Sequence, residues 1–283
     1  RPHVSRGASL MAGLAVSLLP GQVLWSSLVL KDSFSWMSLV LIALALRWWN
    51  QRFGPSGYVK GFALLAALSF YLVHLRLHTF IVAGIASGIA VLVASNRHRI
   101  GRLLAVLLLV VVMPMTIGAT AFGIMQLSYQ DGTLSAIRQN MAIGAKTSIF
   151  GPEQGTNVSS GDLAHLPTGI RLMLLDPLPN QLHKSSNMKY PFVEHLLWYP
   201  MLILGLVGLW VIVKRRKTAS IELVYTIFVI GGLAVMWGLV EGNFGTAYRH
   251  RGELVWGIAV LDGIGIDYLL GRRQPRPTAV DKQ

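Results

Sequence analysis

The ten residues from Leu104 to Met113 are apolar without exception. Runs of this kind constrain the fold more than any motif in the chain. A helix needs about 20 apolar residues to cross roughly 30 Å of hydrocarbon, and inside lipid every backbone N–H and C=O must find a partner within the protein. Eight stretches of suitable length occur, near 8–30, 33–50, 58–75, 78–96, 101–125, 195–213, 219–240 and 252–270. Only 13% of the 283 residues are charged, 53% are apolar, and mean hydropathy is +0.54. A soluble domain carries about 25% charged residues. A soluble globular enzyme and a disordered chain are both excluded on these grounds. The expectation is an all-α polytopic transmembrane helix bundle of about eight spans. Its layout is five N-terminal spans over 1–125, a long extracytoplasmic loop over 126–194, three spans over 195–270 and a basic tail over 271–283.

Charge sets the orientation. One set of connections holds 16 Lys and Arg, among them Arg97, Arg99 and Arg102, the run Lys214-Arg215-Arg216-Lys217, and Arg272-Arg273. The other holds nine, five of them within the long loop. Cytoplasmic connections collect Lys and Arg, so both termini are expected in the cytoplasm, with the chain multi-pass in the membrane. The net charge of +13 is then a topological signal and not a mark of nucleic-acid binding. With no cysteine there is no disulfide, no thiolate metal site and no cysteine nucleophile.

The first span is interrupted by Pro20-Gly21-Gln22. Proline removes a backbone donor and kinks a helix. The long outer loop is too long for a passive connector. Ser135–Lys146 reads as a short helix and Gly151–Gly161 as a flexible stretch. Leu166–Leu178 reads as an interfacial helix laying Ile170, Met173, Leu174 and Leu175 on the membrane surface. Asn157-Val158-Ser159 is a glycosylation sequon, a three-residue match of low specificity. Gly84–Gly88 and Gly263–Gly265 read as sites of close helix packing. Trp36, Trp48, Trp49, Trp198, Tyr199 and Tyr268 fall near span ends, where an aromatic belt accounts for them.

Ionisable groups inside spans are costly, so their positions carry information. Glu222 falls near an inner end, Asp267 near Arg272 and Arg273, and Asp262 deeper, where a hydrogen-bonding partner within the bundle is expected. Three groups should meet at the outer face: Lys31 and Asp32; His74, Arg76 and His78; and Glu241, Asn243, Tyr248, Arg249, His250 and Arg251. Carboxylates among cations suit an anionic substrate with a hydroxyl to be deprotonated. The competing reading is that helix-end cations anchor to headgroups. For Asp32 the competitor is an N-cap of the second span. His250 is accounted for as part of a basic loop. No phosphate-binding Gly-rich loop, His-Glu-x-x-His, Gly-x-Ser-x-Gly or Asp-x-Asp pattern occurs.

Three segments together resemble bacterial polytopic membrane proteins of polysaccharide assembly, of the GT-C glycosyltransferase type (family 39, mannosyltransferase-like). They are Pro20–Asp32, His74–His78 and Gly242–Arg251. Leu166–Pro179 is similar to the membrane-surface helix ahead of the C-terminal spans in such proteins. Wzy-like polysaccharide polymerases share the same general appearance. That family carries its principal catalytic carboxylate in the first outer loop, whereas no Asp or Glu precedes Asp32 here and the chain begins at Arg1. The resemblance therefore implies N-terminal spans ahead of this sequence. It also implies a plasma (inner) membrane enzyme whose donor is a polyprenyl-phosphate-linked sugar. In that reading Asp32 or Glu241 is the base, while Lys31, His74, Arg76, His78, Asn243, Tyr248, Arg249 and Arg251 hold the lipid phosphate and sugar. Partners are membrane lipids and not nucleic acid. No cofactor is implied, and a divalent cation is left open. A transporter or flippase for a lipid-linked or anionic solute, and a non-catalytic scaffold, are the alternatives from other classes.

Overall fold

The computed structural model of the protein describes residues 4–27, 31–52, 54–95, 99–120, 134, 136–138, 162–178, 189–214 and 220–271. Their long regular elements are all helical. These are α1 (Arg6–Leu18), α2 (Pro20–Ser27), α3 (Lys31–Gln51), α4 (Pro55–Leu75), α5 (Leu77–Ala94) and α6 (Arg99–Val112), followed by a 3-10 segment (Met113–Ala119). Then come α7 (Asp162–Leu174), α8 (Lys189–Lys214), α9 (Ile221–Val240) and α10 (Phe244–Leu269). Among the described residues, five segments are long and apolar enough to cross a membrane: α4, α5, α6 continued by its 3-10 segment, α8 from Pro191, and α9. The protein is an all-α membrane bundle.

The other three expected spans are helical but fall short of that measure. Over 8–27 the first of these is two helices, because Pro20 ends α1 and opens α2. The N–H of Gly21, left without an intrahelical acceptor at this break, donates to Glu194 Oε2 at 2.6 Å. Ser33, Ser35, Ser38, Arg47 and Asn50 interrupt the apolar run of α3. Helix α10 carries Arg249, His250, Arg251, Glu253, Asp262 and Asp267, yet it is the most enclosed helix. It packs against α1, α2, α3, α7, α8 and α9. Its polar side chains face protein and not lipid, which is how a helix with this many ionisable groups sits in a membrane bundle.

Glycine sets the closeness of these contacts. A methyl group built on Gly208 of α8 would lie 2.0 Å from the Leu261 carbonyl oxygen of α10, and one on Gly265 of α10 would lie 2.4 Å from the Leu204 carbonyl oxygen. The two backbones touch, as small residues allow. Gly84 receives Val110 and Gly263 receives Val4 in the same way, as expected for both glycine stretches.

Helix α7 overlaps the stretch expected as a membrane-surface helix, and it packs on α9. It runs over Asp162–Leu174, and Gly169 meets the backbone of Gly238 on α9. Met173, expected against lipid, is fully buried, while Leu175 is exposed. The carbonyls at the end of α7 are taken by Trp198 (to Leu174), Tyr199 (to Leu175) and Arg251 (to Met173 and Asp176). Trp49 and Trp198 also depart from an interfacial belt: both are buried, and their indole N–H groups donate to the Tyr58 and Leu174 carbonyls. Of the helix expected over Ser135–Lys146, Ala136–Arg138 are helical. The rest of it, Gly151–Gly161 and the sequon at Asn157 lie outside the described residues.

Candidate functional site

One residue, Arg76, makes the whole corner between α4 and α5. Its N–H closes α4 on the Leu72 carbonyl, and its own carbonyl accepts from Phe80 in α5. A corner this tight fixes the position of the side chain, which is buried. One guanidinium nitrogen bonds Asp32 Oδ1, and another lies 2.7 Å from Glu253 Oε1. Asp32 Oδ2 accepts from Arg249 Nε at 2.7 Å and from its Nη2 at 2.5 Å. Glu253 Oε2 accepts from Thr79 Oγ1 at 3.0 Å and from Trp237 Nε1 at 3.1 Å. Asp32, in the first turn of α3, spends both oxygens on guanidinium groups and not on capping that helix.

Beside this chain of ion pairs lies a second pair. His250 Nδ1 bonds Glu241 Oε1, and Thr246 Oγ1 donates to Glu241 Oε2 at 2.6 Å. The His250 ring stacks on Trp237 at 3.6 Å, and Trp237 also underlies the Arg76 guanidinium at 5.6 Å. Glu241 has no exposed surface. Burial pushes its carboxyl up to about 8, against the opposing pull of the Thr246 hydroxyl and the Arg76 charge. The corner between α9 and α10 is held by Asn243, whose side chain accepts from the Thr246 N–H at 3.0 Å as an N-cap.

Cations dominate the rim. Lys31 is within electrostatic reach of Arg76, Arg249 and Glu253, and His78 of Arg76 and Lys31. Arg249 is partly exposed and His78 exposed. An anion arriving here meets Lys31 and the Arg249 guanidinium, which Asp32 orients, with the buried Arg76 behind them.

The structure divides the expected site. Asp32, Lys31, Arg76, His78, Arg249, Glu241 and His250 come together. Arg251 and Tyr248 face another way on α10, towards α7 and α8. Arg251 lies 3.9 Å from Glu194 and 3.3 Å from His195 Nε2, over the rings of Trp198 and Tyr248. Tyr248 donates to Glu194 at 2.5 Å. This buried group ties α2, α7, α8 and α10 together. His74 points back into the bundle, between the Phe70 and Thr116 carbonyls. Sequence reasoning missed Glu253, Thr79, Trp237 and Glu194. Glu253 was within reach of it: it stands four residues after Arg249, on one face of the same helix.

Of two deeper carboxylates, Asp262 departs from expectation; Arg272 and Arg273, expected near Asp267, lie outside the described residues. Asp267 binds the Ser5 N–H at 2.5 Å and its hydroxyl at 2.6 Å, tying the start of α1 to α10. Asp262 is buried, and neither of its oxygens has a hydrogen-bond partner among the described residues. Glu222 pairs with Arg47 of α3 at 3.5 Å. Among the described residues no group of three His, Asp or Glu side chains is placed to hold a metal ion. Comparison of the chain with protein families, with curated proteins and with solved structures finds no match in any of the three.

Proposed function

We propose that the cluster at the α3, α4–α5 and α9–α10 ends is the active site of a membrane glycosyltransferase or polysaccharide polymerase. In this reading the enzyme works at the extracytoplasmic face on a polyprenyl-phosphate-linked sugar. The observation that carries it is the pair of cations Lys31 and Arg249 at the mouth, backed by the buried Arg76, beside a buried Glu241–His250 pair at the ends of helices built for lipid. A phosphate attached to a lipid presents its charge at this depth. The same reading takes the eight expected stretches as crossings, with both termini cytoplasmic and the loop over 126–194 outside.

The acceptor hydroxyl attacks the anomeric carbon, the bond from that carbon to the phosphate oxygen breaks, and the lipid phosphate leaves with the electron pair. Arg249 and Lys31 neutralise that leaving charge. The hydroxyl proton goes to His250. Nδ1 of that ring is committed to Glu241, so Nε2 is the nitrogen left to accept it. Asp32 is a positioning residue, because both its oxygens hold arginines.

The test is sugar transfer in proteoliposomes from a polyprenyl-phosphate donor. His250→Gln and Glu241→Gln should each lower turnover by about 10²-fold or more, the usual weight of a general base. Arg249→Ala should instead raise KM for the donor. Because Glu241 ionises only as pH passes about 8, wild-type turnover should rise through that range and the Glu241→Gln variant should not follow. Full activity in folded His250→Gln protein would remove His250 from the base role.

A further inference from the structure

We propose that Asp262 is a proton-binding site in the interior of the bundle, and that its protonated form holds α8 against α10. The carboxyl lies about 27 Å along α10 from Phe244 and about 10 Å, two turns, from Leu269. It is 2% exposed, and neither oxygen has a hydrogen-bond donor among the described residues. Across from it stands Gly205 of α8: a methyl group built there would lie 3.2 Å from Oδ1 and 3.4 Å from Ile258 Cγ2. The interface offers a carboxyl group apolar surroundings and backbone.

Among the described residues, the charged groups on the packed elements are engaged elsewhere or face outwards. On α10, Asp267 is bonded to Ser5, and Arg251 lies about three turns above. On α8, Lys214 stacks on Trp210, and Glu194 is bonded by Tyr248 and Gly21. On α9, Glu222 pairs with Arg47 of α3. On α1, Arg6 is exposed. A bare carboxylate in such a place costs several kcal/mol, whereas the neutral acid costs far less. Proton binding is therefore what lets α8 and α10 close to backbone contact one turn away, at Gly208 and Gly265. Loss of the proton to water creates a charge that only hydration can satisfy, and water enters by parting the two helices. Arg251, about 16 Å up the same stripe of α10, binds residues of α7 and α8. Parting at Asp262 is thereby transmitted to the elements under the outer site.

Two measurements on the full chain in nanodiscs test this. The first is the infrared carbonyl stretch of a protonated carboxylic acid, wild type against Asp262→Asn. The expected result is a band at neutral pH that is absent from the variant and that converts to a carboxylate band at alkaline pH. The second uses the absence of native cysteine. Spin labels at Leu206→Cys on α8 and Leu269→Cys on α10, both exposed positions, report the helix separation. It should increase with pH in wild type and stay constant with Asp262→Asn. No acid band lost in Asp262→Asn, or a pH-dependent separation that persists in that variant, overturns the proposal. Neither readout depends on sugar transfer.

Discussion

Arg76 is ion-paired to two buried carboxylates at once, Asp32 and Glu253. Removing one partner of a buried ion pair costs about 3–5 kcal/mol, since the remaining charge stays desolvated. Arg76→Met should therefore lower the unfolding temperature in detergent sharply. Adding Asp32→Asn and Glu253→Gln should restore most of the loss, because the uncompensated charges go with them. Glu241 makes a separate contribution, with a definite sign. Its folded carboxyl is raised from 4.5 to about 8, so the folded state holds a proton that the unfolded state has released. Stability at this residue is full below about pH 4.5 and declines as pH rises towards 8. Unfolding temperatures measured from about pH 5 to 9 should fall with pH in wild type, and Glu241→Gln should flatten that part of the slope.

At the scale of elements, glycine contacts decide which helices can touch. Gly208 and Gly265 bring α8 and α10 to backbone contact, and Gly169 brings α7 to Gly238 of α9. A side chain at Gly208 has nowhere to go, since the obstruction is a carbonyl and not the end of a flexible chain. Gly208→Val should weaken the α8–α10 pair, read as a lower unfolding temperature and faster amide exchange in both helices. Gly231 is the control: nothing lies within 4 Å of a methyl group there. Gly231→Ala should be neutral or stabilising by about 0.5–1 kcal/mol, as alanine restricts the unfolded chain more than glycine does. The Pro20 break belongs to the same scale. Glu194, from a helix far along the chain, satisfies the N–H at the break, and no local pattern announces that pairing.

For the whole molecule, the prediction concerns sidedness. Helix α3 is about 30 Å long, so Ser27 before it and Ser56 after it lie at opposite ends of the bundle. Both are exposed serines, and the chain has no cysteine to interfere. An impermeant maleimide applied to intact cells should label Ser27→Cys and leave Ser56→Cys unlabelled. The reverse pattern would invert the proposed orientation and move the Arg76–Arg249 cluster to the cytoplasmic face.

The sequence by itself determined the class of structure, because hydrocarbon admits few solutions. Runs such as Leu104–Met113 must be helical, corners fall where polar residues interrupt them, and Pro20 must break whatever it enters. The meeting of Asp32, Arg76 and Arg249 was legible too, since helices of matched length bring alternate corners to one depth. What the tertiary structure alone decided is rotation about each helix axis. Arg249, His250 and Arg251 are consecutive, yet successive residues point about 100° apart on a helix. Packing sends Arg249 to Asp32, His250 to Glu241 and Arg251 to the α7–α8 group. The same rotation puts Glu253 under Arg76, turns Met173 inward and leaves Asp262 facing a glycine. These directions depend on which neighbours approach α10, a sum of small backbone contacts over distant residues that no local stretch encodes.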